Sequence, residues 1–189
     1  MKTQLWPMVL LAVICAGFAP PQARAQEAPP QSLSAPGEEH RRLDVLAGDW
    51  DVVVRFPAGP GKEMEGKSSC VAKWVMDGRF MRQEYTSMFM GKPLSVVRYL
   101  GFDRHRGKFV TVQFESTHTD VMNCEGSVSP DGKTFSCTGR HIDAATGKDV
   151  EVRAVTTVLS PDAFTHEMRY IDGEQSKVVT LTHTRRAAP

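Results

Sequence analysis

Along most of the chain, apolar and polar residues alternate in steps of two. Trp50, Val52, Val54 and Phe56 are interleaved with Asp51, Val53 and Arg55, the period of a strand with one buried face. Turn signals interrupt the pattern again and again: Pro57–Gly61, Asp77-Gly78, Gly91–Pro93, Asp103–Gly107, Pro130–Gly132, Ala144–Gly147, Ser160–Asp162 and Asp172-Gly173. Val- and Thr-rich runs of strand length lie between them, such as Lys108–Ser116 and Val150–Leu159. One stretch has helical spacing instead. His40, Leu43 and Leu46 follow Pro36, Glu38 and Glu39 fall in the first turn, and Gly48 ends the run, which predicts a short helix over about 37–47.

This pattern predicts an all-β fold of about ten strands with one N-terminal helix. Uniformly short connections favour an antiparallel up-and-down β-barrel over a sandwich, because closure removes exposed edges. Val110, Val112 and Phe114 alternate with Thr111, Gln113 and Glu115. A barrel with a partly polar interior accepts the polar set inside, whereas the plainer assignment turns it to water; the alternation fits both.

Two hairpins carry register expectations. A three-residue loop at Pro130-Asp131-Gly132 sets Val128 opposite Thr134, which puts Cys124 and Cys137 on opposite faces. A one-residue shift makes them direct neighbours, and their local pairing in an exported chain tips the expectation towards a disulfide. Symmetry about Ser160-Pro161-Asp162 sets Arg153 nearly opposite Glu167 as a cross-strand pair.

The N-terminus has a different character. Lys2, the apolar run Met8–Ala19 and Ala23-Arg24-Ala25 have the layout of a secretory signal peptide over 1–25. The run is too short for a transmembrane anchor, which needs about 20 residues. Residues 26–37 are rich in Pro, Ala, Gln and Ser and read as a flexible linker, leaving 38–186 as the domain. The expected address is exported, periplasmic or secreted. Cleavage removes Lys2 and Arg24 and changes the formal net charge from +1 to −1, so bulk charge gives no reason to expect a nucleic-acid partner. It also leaves Cys70, Cys124 and Cys137, with no Cys-x-x-Cys for zinc or redox work. The sequence sets no oligomeric state.

Catalysis finds no support. There is no Gly-x-Ser-x-Gly elbow, phosphate loop or His-Glu-x-x-His, and no cofactor motif, so no catalytic or metal-binding residue is assigned. The six histidines are scattered, although strand alternation can gather distant ones inside a barrel. His183 shares a face with Val179 and Leu181 on the last strand. The Met88-Phe89-Met90 pattern would suit Cu(I), although plain apolar filling by methionine is the favoured reading. Arg82, Tyr85, Glu115, Arg153 and Glu167 are polar residues in strand interiors. They are the candidates for contacts to a ligand head group, with a solvent-facing position as the alternative for each.

Several separated stretches carry a resemblance. The segment Glu39–Val54 with Gly48-Asp49-Trp50, the run Trp74–Tyr85, Gly101-Phe102-Asp103 and Thr165–Met168 resemble the bacterial family named domain of unknown function 1579. The resemblance spans about residues 38–186 and implies a lipocalin-like, or calycin, barrel; the family's activity is unassigned. Gly48-x-Trp50 is similar to the lipocalin first-strand signature. That similarity implies that Gly48 allows a tight turn into the strand, that Trp50 plugs the closed end, and that Arg185 (or Arg186) from the last strand stacks across the ring. A Gly-x-Trp first strand with a C-terminal His is also similar to nitrobindin-type haem barrels, which implies His183 as a candidate axial ligand.

The leading expectation is an exported lipocalin-like barrel binding a small apolar ligand. The alternatives are a packed barrel that acts through its surface, and a haem or Cu(I) handling protein. Cavity volume separates the first two.

Overall fold

The computed structural model describes residues 32–59, 61–143 and 146–187. The signal peptide expected over 1–25 lies outside them, as does the first half of the expected linker, residues 26–31. The linker's described end is tied down: Arg104 donates to the Ser32 and Ala35 carbonyls and Arg79 to that of Ser34.

Among the described residues, ten strands form one closed antiparallel barrel, each paired with its neighbours in sequence and the last with the first. They are β1 (Gly48–Gly59), β2 (Lys62–Val75), β3 (Phe80–Phe89), β4 (Lys92–Asp103), β5 (Lys108–Glu115), β6 (Met122–Val128), β7 (Thr134–Ile142), β8 (Asp149–Ser160), β9 (Ala163–Asp172) and β10 (Gln175–Arg185). The period-2 reading of β1 holds, with Trp50 and Val52 buried between exposed Asp49 and Asp51. On β5 the polar set points inward. Thr111 and Gln113 are buried, and Phe114 on the other face is exposed.

The predicted helix is shorter and split. An α-helical turn, α1 (Glu38–Arg41), gives way to a 3-10 turn at Asp44–Leu46. In a 3-10 turn, residues i and i+3 eclipse, so Leu43 and Leu46 face the barrel together, and both are buried. Trp74 Nε1 donates to Asp44 Oδ1 at 2.7 Å and fastens the turn to β2.

Both hairpin registers differ from expectation. At β6–β7, Ser129 N donates to Thr134 O, so the loop is Pro130–Lys133 and Val128 pairs with Phe135. Cys124 then faces Gly139 and Cys137 faces Gly126. The two cysteines share the inner face at diagonal positions, and both are free thiols. A Cβ at Gly139 would strike Cys124 Sγ and the Asn123 carbonyl, so the close approach of the strands requires glycine there. At β8–β9, a bulge near Leu159 pairs Arg153 with Arg169 and Val155 with Glu167. The expected Arg153–Glu167 pair does not form.

Candidate functional site

One end of the barrel is sealed. Trp50 is fully buried, its Nε1 donates to the Leu46 carbonyl at 3.1 Å, and Phe164 meets it edge-on at 4.7 Å. The Arg185 guanidinium lies 4.2 Å from the centroid of the Trp50 ring, a cation–π contact. The same guanidinium donates to the Ala47, Val45 and Pro161 carbonyls and pairs with Asp162 at 3.0 Å. Gly48 has φ +127°, and a Cβ there would strike Arg185 Nη1, so glycine is needed for both conformation and clearance.

Above this plug lies a layer of buried polar side chains. Arg98 on β4 is 5% exposed. Its Nε and Nη2 donate to Gln83 Oε1 at 2.9 and 2.6 Å, and Nη2 also donates to Tyr85 Oη at 2.9 Å. Nη1 lies 2.5 Å from His166 Nε2. A guanidinium only donates, so His166 Nε2 is the acceptor and Nδ1 carries the proton, given to Thr156 Oγ1 at 2.8 Å. Burial first, then Arg98 and His183, push the His166 pKa well below its ordinary value, so the ring is neutral. Burial, with Arg98 again assisting, lowers His183 to about 3. Burial raises the Tyr85 phenol, against the opposing pull of Arg98. Among the described residues, no carboxylate lies within ion-pair distance of Arg98. Its partners engage each of its three nitrogens, four of the five N–H groups, but none of them carries a negative charge.

The other end opens into a cavity of about 540 Å³. Tyr85, Arg98, Gln113, Glu115 and His166 line it together with apolar residues that include Val54, Phe56, Leu94, Val96, Val179 and Leu181. The barrel is therefore not filled by its own side chains. Glu115 is already engaged: Oε1 accepts from Gln113 Nε2 at 2.9 Å, and Oε2 is 3.2 Å from His118 Nε2.

The profile of a family described as "protein of unknown function (DUF1579)" matches residues 35–185, most of the chain. The chain belongs to the DUF1579 family. The crystal structure of Rv2717c from M. tuberculosis shares this DUF1579 chain's fold with a TM-score of 0.62. It is 17% identical over 81% of this chain and 100% of that one. The S-type phycobiliprotein lyase CPES from Guillardia theta has a TM-score of 0.52 at 10% identity, over 82% of this chain and 100% of that one. At such identities the likeness is one of fold. No curated protein matches the sequence significantly. No described helix is long and apolar enough to cross a membrane, which says nothing of strands.

Of the five candidate head-group contacts, the DUF1579 barrel brings Tyr85 and Glu115 to the cavity. Arg82, Arg153 and Glu167 point outward, with side chains 43, 62 and 45% exposed, and each is paired on the outer face: with Glu84, Glu151 and Arg169 respectively. Parity separates the first two candidates, since residues 82 and 85 of one regular strand face opposite sides. Sequence reasoning missed Arg98, Gln83 and His166, and it placed Gln113 in a polar set that fits either face without naming it as a site residue. The phase shared by Met81, Gln83 and Tyr85 is a usable signal on β3. On β4, Val97 and Tyr99 compete with Val96 and Leu100, so the phase of Arg98 is hidden. His183 is sealed beneath the cavity, stacked on Phe164 at 3.9 Å with its Nε2 3.2 Å from Tyr85 Oη, and it does not line the open space. Met88 near the end of β3 and Met90 in the β3–β4 turn are 61 and 84% exposed.

Proposed function

We propose that this barrel binds a small, elongated apolar acid, with the carboxylate on Arg98 and the hydrocarbon along the apolar wall above it. The compartment proposed for this activity is the extracytoplasmic one that residues 1–25 signal. One observation carries the reading: a guanidinium buried at the cavity floor whose partners are all neutral. An uncompensated buried charge costs several kcal/mol, and an incoming anion offsets that cost where a neutral ligand does not. The cavity volume of about 540 Å³ falls in the usual range for small-molecule sites.

The test is calorimetric titration of the tag-free protein with dodecanoate and with dodecan-1-ol, which share a chain and differ in the head group. A hydrogen bond to a charged group contributes about 1.5–3 kcal/mol, so the acid should bind roughly 10–100-fold more tightly than the alcohol. In Arg98→Met that preference should vanish while the alcohol binds as before. Equal affinity of the wild type for both molecules would discard the head-group role, and failure of both to bind would discard the ligand reading.

A further inference from the structure

A second cluster sits beside the cavity mouth, where the β5–β6 connection meets the end of β7. His118 and Asp120 come from the connection and His141 from β7. Their side chains are 17, 19 and 13% exposed, and one ligand atom from each lies within 4.8 Å of the others. Asp120 Oδ2 accepts the Ile142 N–H at 3.1 Å, which clips the connection to β7. The His118 and His141 rings are 5.1 Å apart, and Tyr170 packs against His141 at 5.6 Å. The cluster is therefore held in place by strand pairing and ring packing.

The hydrogen bonds inside the cluster do not close. His118 Nε2 points at Glu115 Oε2, a carboxylate oxygen that can only accept, so the neutral ring carries its proton on Nε2. Its Nδ1 then presents a lone pair, and it is in contact with Asp120 Oδ1 without forming a hydrogen bond. His141 Nδ1 lies 2.9 Å from Asp120 Oδ2, again without alignment. Three buried atoms, His118 Nδ1, His141 Nδ1 and Asp120 Oδ1, converge with no hydrogen-bond partner. The His118 Nδ1 lone pair and the Asp120 carboxylate, directed at each other, repel unless a cation lies between them, and His141 Nδ1 stands beside the same carboxylate.

We propose that His118, Asp120 and His141 form a binding site for a divalent transition-metal ion of the Zn²⁺ class. Imidazole nitrogen and carboxylate oxygen are the donors that zinc takes, at about 2.0–2.2 Å each, so two donors on one ion stand up to about 4 Å apart. Mg²⁺ and Ca²⁺ prefer an all-oxygen shell. Glu115 accepts from the far nitrogen of His118, the arrangement in which a carboxylate orients a ligating imidazole and raises its basicity. Three protein donors leave a coordination position for water or for a donor atom of a cavity ligand. His141 and Glu115 also line the cavity, so the ion belongs to its wall. Arg98 takes no part, and this site stands or falls separately from the head-group reading.

The experiment is calorimetric titration of the tag-free, chelator-treated protein with ZnCl₂, backed by the visible spectrum of the Co²⁺ form. Wild type should bind one equivalent saturably, and Co²⁺ should give the intense absorption of a low-coordinate site. His118→Ala, His141→Ala and Asp120→Asn should each weaken binding by at least about tenfold. Asp120→Asn keeps an oxygen for the Ile142 N–H, and far-UV circular dichroism verifies folding in all three. His105→Ala, an exposed histidine outside the cluster, should bind as wild type. Absence of saturable binding to wild type would overturn the site. So would binding that survives in all three variants but is lost on blocking Cys70, Cys124 and Cys137.

Discussion

The two ends of this barrel bury polar and charged groups in opposite ways. At the closed end, Arg185 is matched on every side: an indole face, three backbone carbonyls and the Asp162 carboxylate receive it. At the cavity floor, Arg98 is more deeply buried, and its partners are an amide, a phenol and a neutral imidazole. The first guanidinium is engaged by hydrogen bonds and by an opposite charge, the second by hydrogen bonds alone. The same residue type therefore serves packing at one end and leaves an electrostatic deficit at the other. The deficit adjoins open space of about 540 Å³, where an anion can reach it.

The sharpest way to break the comparison is to remove the plug. Trp50 is fully buried, and loss of a buried ring of this size costs about 3–5 kcal/mol. Trp50→Ala should lower the urea midpoint accordingly. An unchanged midpoint would mean that the closed end is not a plug, and the contrast between the two ends would collapse.

Acid should act next most strongly, through the polar layer. The unfolded chain takes up protons on His166 and His183 from about pH 6.5 downward. Burial holds both folded pKa values far lower, His183 at about 3. Their contribution to stability is therefore complete above about pH 6.5 and is lost as pH falls. At about 1.4 kcal/mol per pH unit, His183 alone removes roughly 2 kcal/mol by about pH 5. Urea midpoints across that range should fall in the wild type and fall less in His183→Asn. Equal slopes would show that His183 is not held neutral.

The sequence made one of these ends far more legible than the other. The alternation around Trp50, the turn residues and the short connections sufficed for a ten-strand barrel. Gly48, Trp50 and Arg185 meet as the motif resemblance implied, because those contacts lie at strand termini where small register errors matter little. The polar layer depends on which phase of each strand faces inward, and on β4 both phases are apolar. The metal candidate joins His118 and Asp120 to His141 across the β5–β6 and β7 segments, a proximity that only a correct register reveals. The β6–β7 and β8–β9 registers turned on a four-residue loop and on a bulge, which the local turn signals did not specify.

Arg98→Met sharpens the comparison from the side of stability. Replacing a buried charge that lacks a counter-charge by an apolar side chain removes the cost of holding that charge away from water. Gln83, Tyr85 and His166 lose a donor, but cavity water can reach the vacated space. The unfolding free energy from urea titration should stay within about 1 kcal/mol of wild type or rise. A loss comparable to that of Trp50→Ala would mean that Arg98 is a structural keystone like Arg185.

The smallest effect is expected on the outer wall. Arg153 is 62% exposed and pairs along its own strand with Glu151, while across the sheet it faces Arg169. An exposed ion pair contributes about 0–1 kcal/mol, and a like charge directly opposite offsets part of that. Arg153→Ala should thus change stability by less than about 0.5 kcal/mol. Displacement of an apolar fluorescent acid should read the same affinity in this variant as in wild type, and a weaker one in Arg98→Met. Both arginines sit mid-strand with apolar neighbours, and only the face they occupy separates them. A loss of dye affinity in Arg153→Ala matching that in Arg98→Met would mean that the acid is held at the outer wall and not by a guanidinium at the cavity floor.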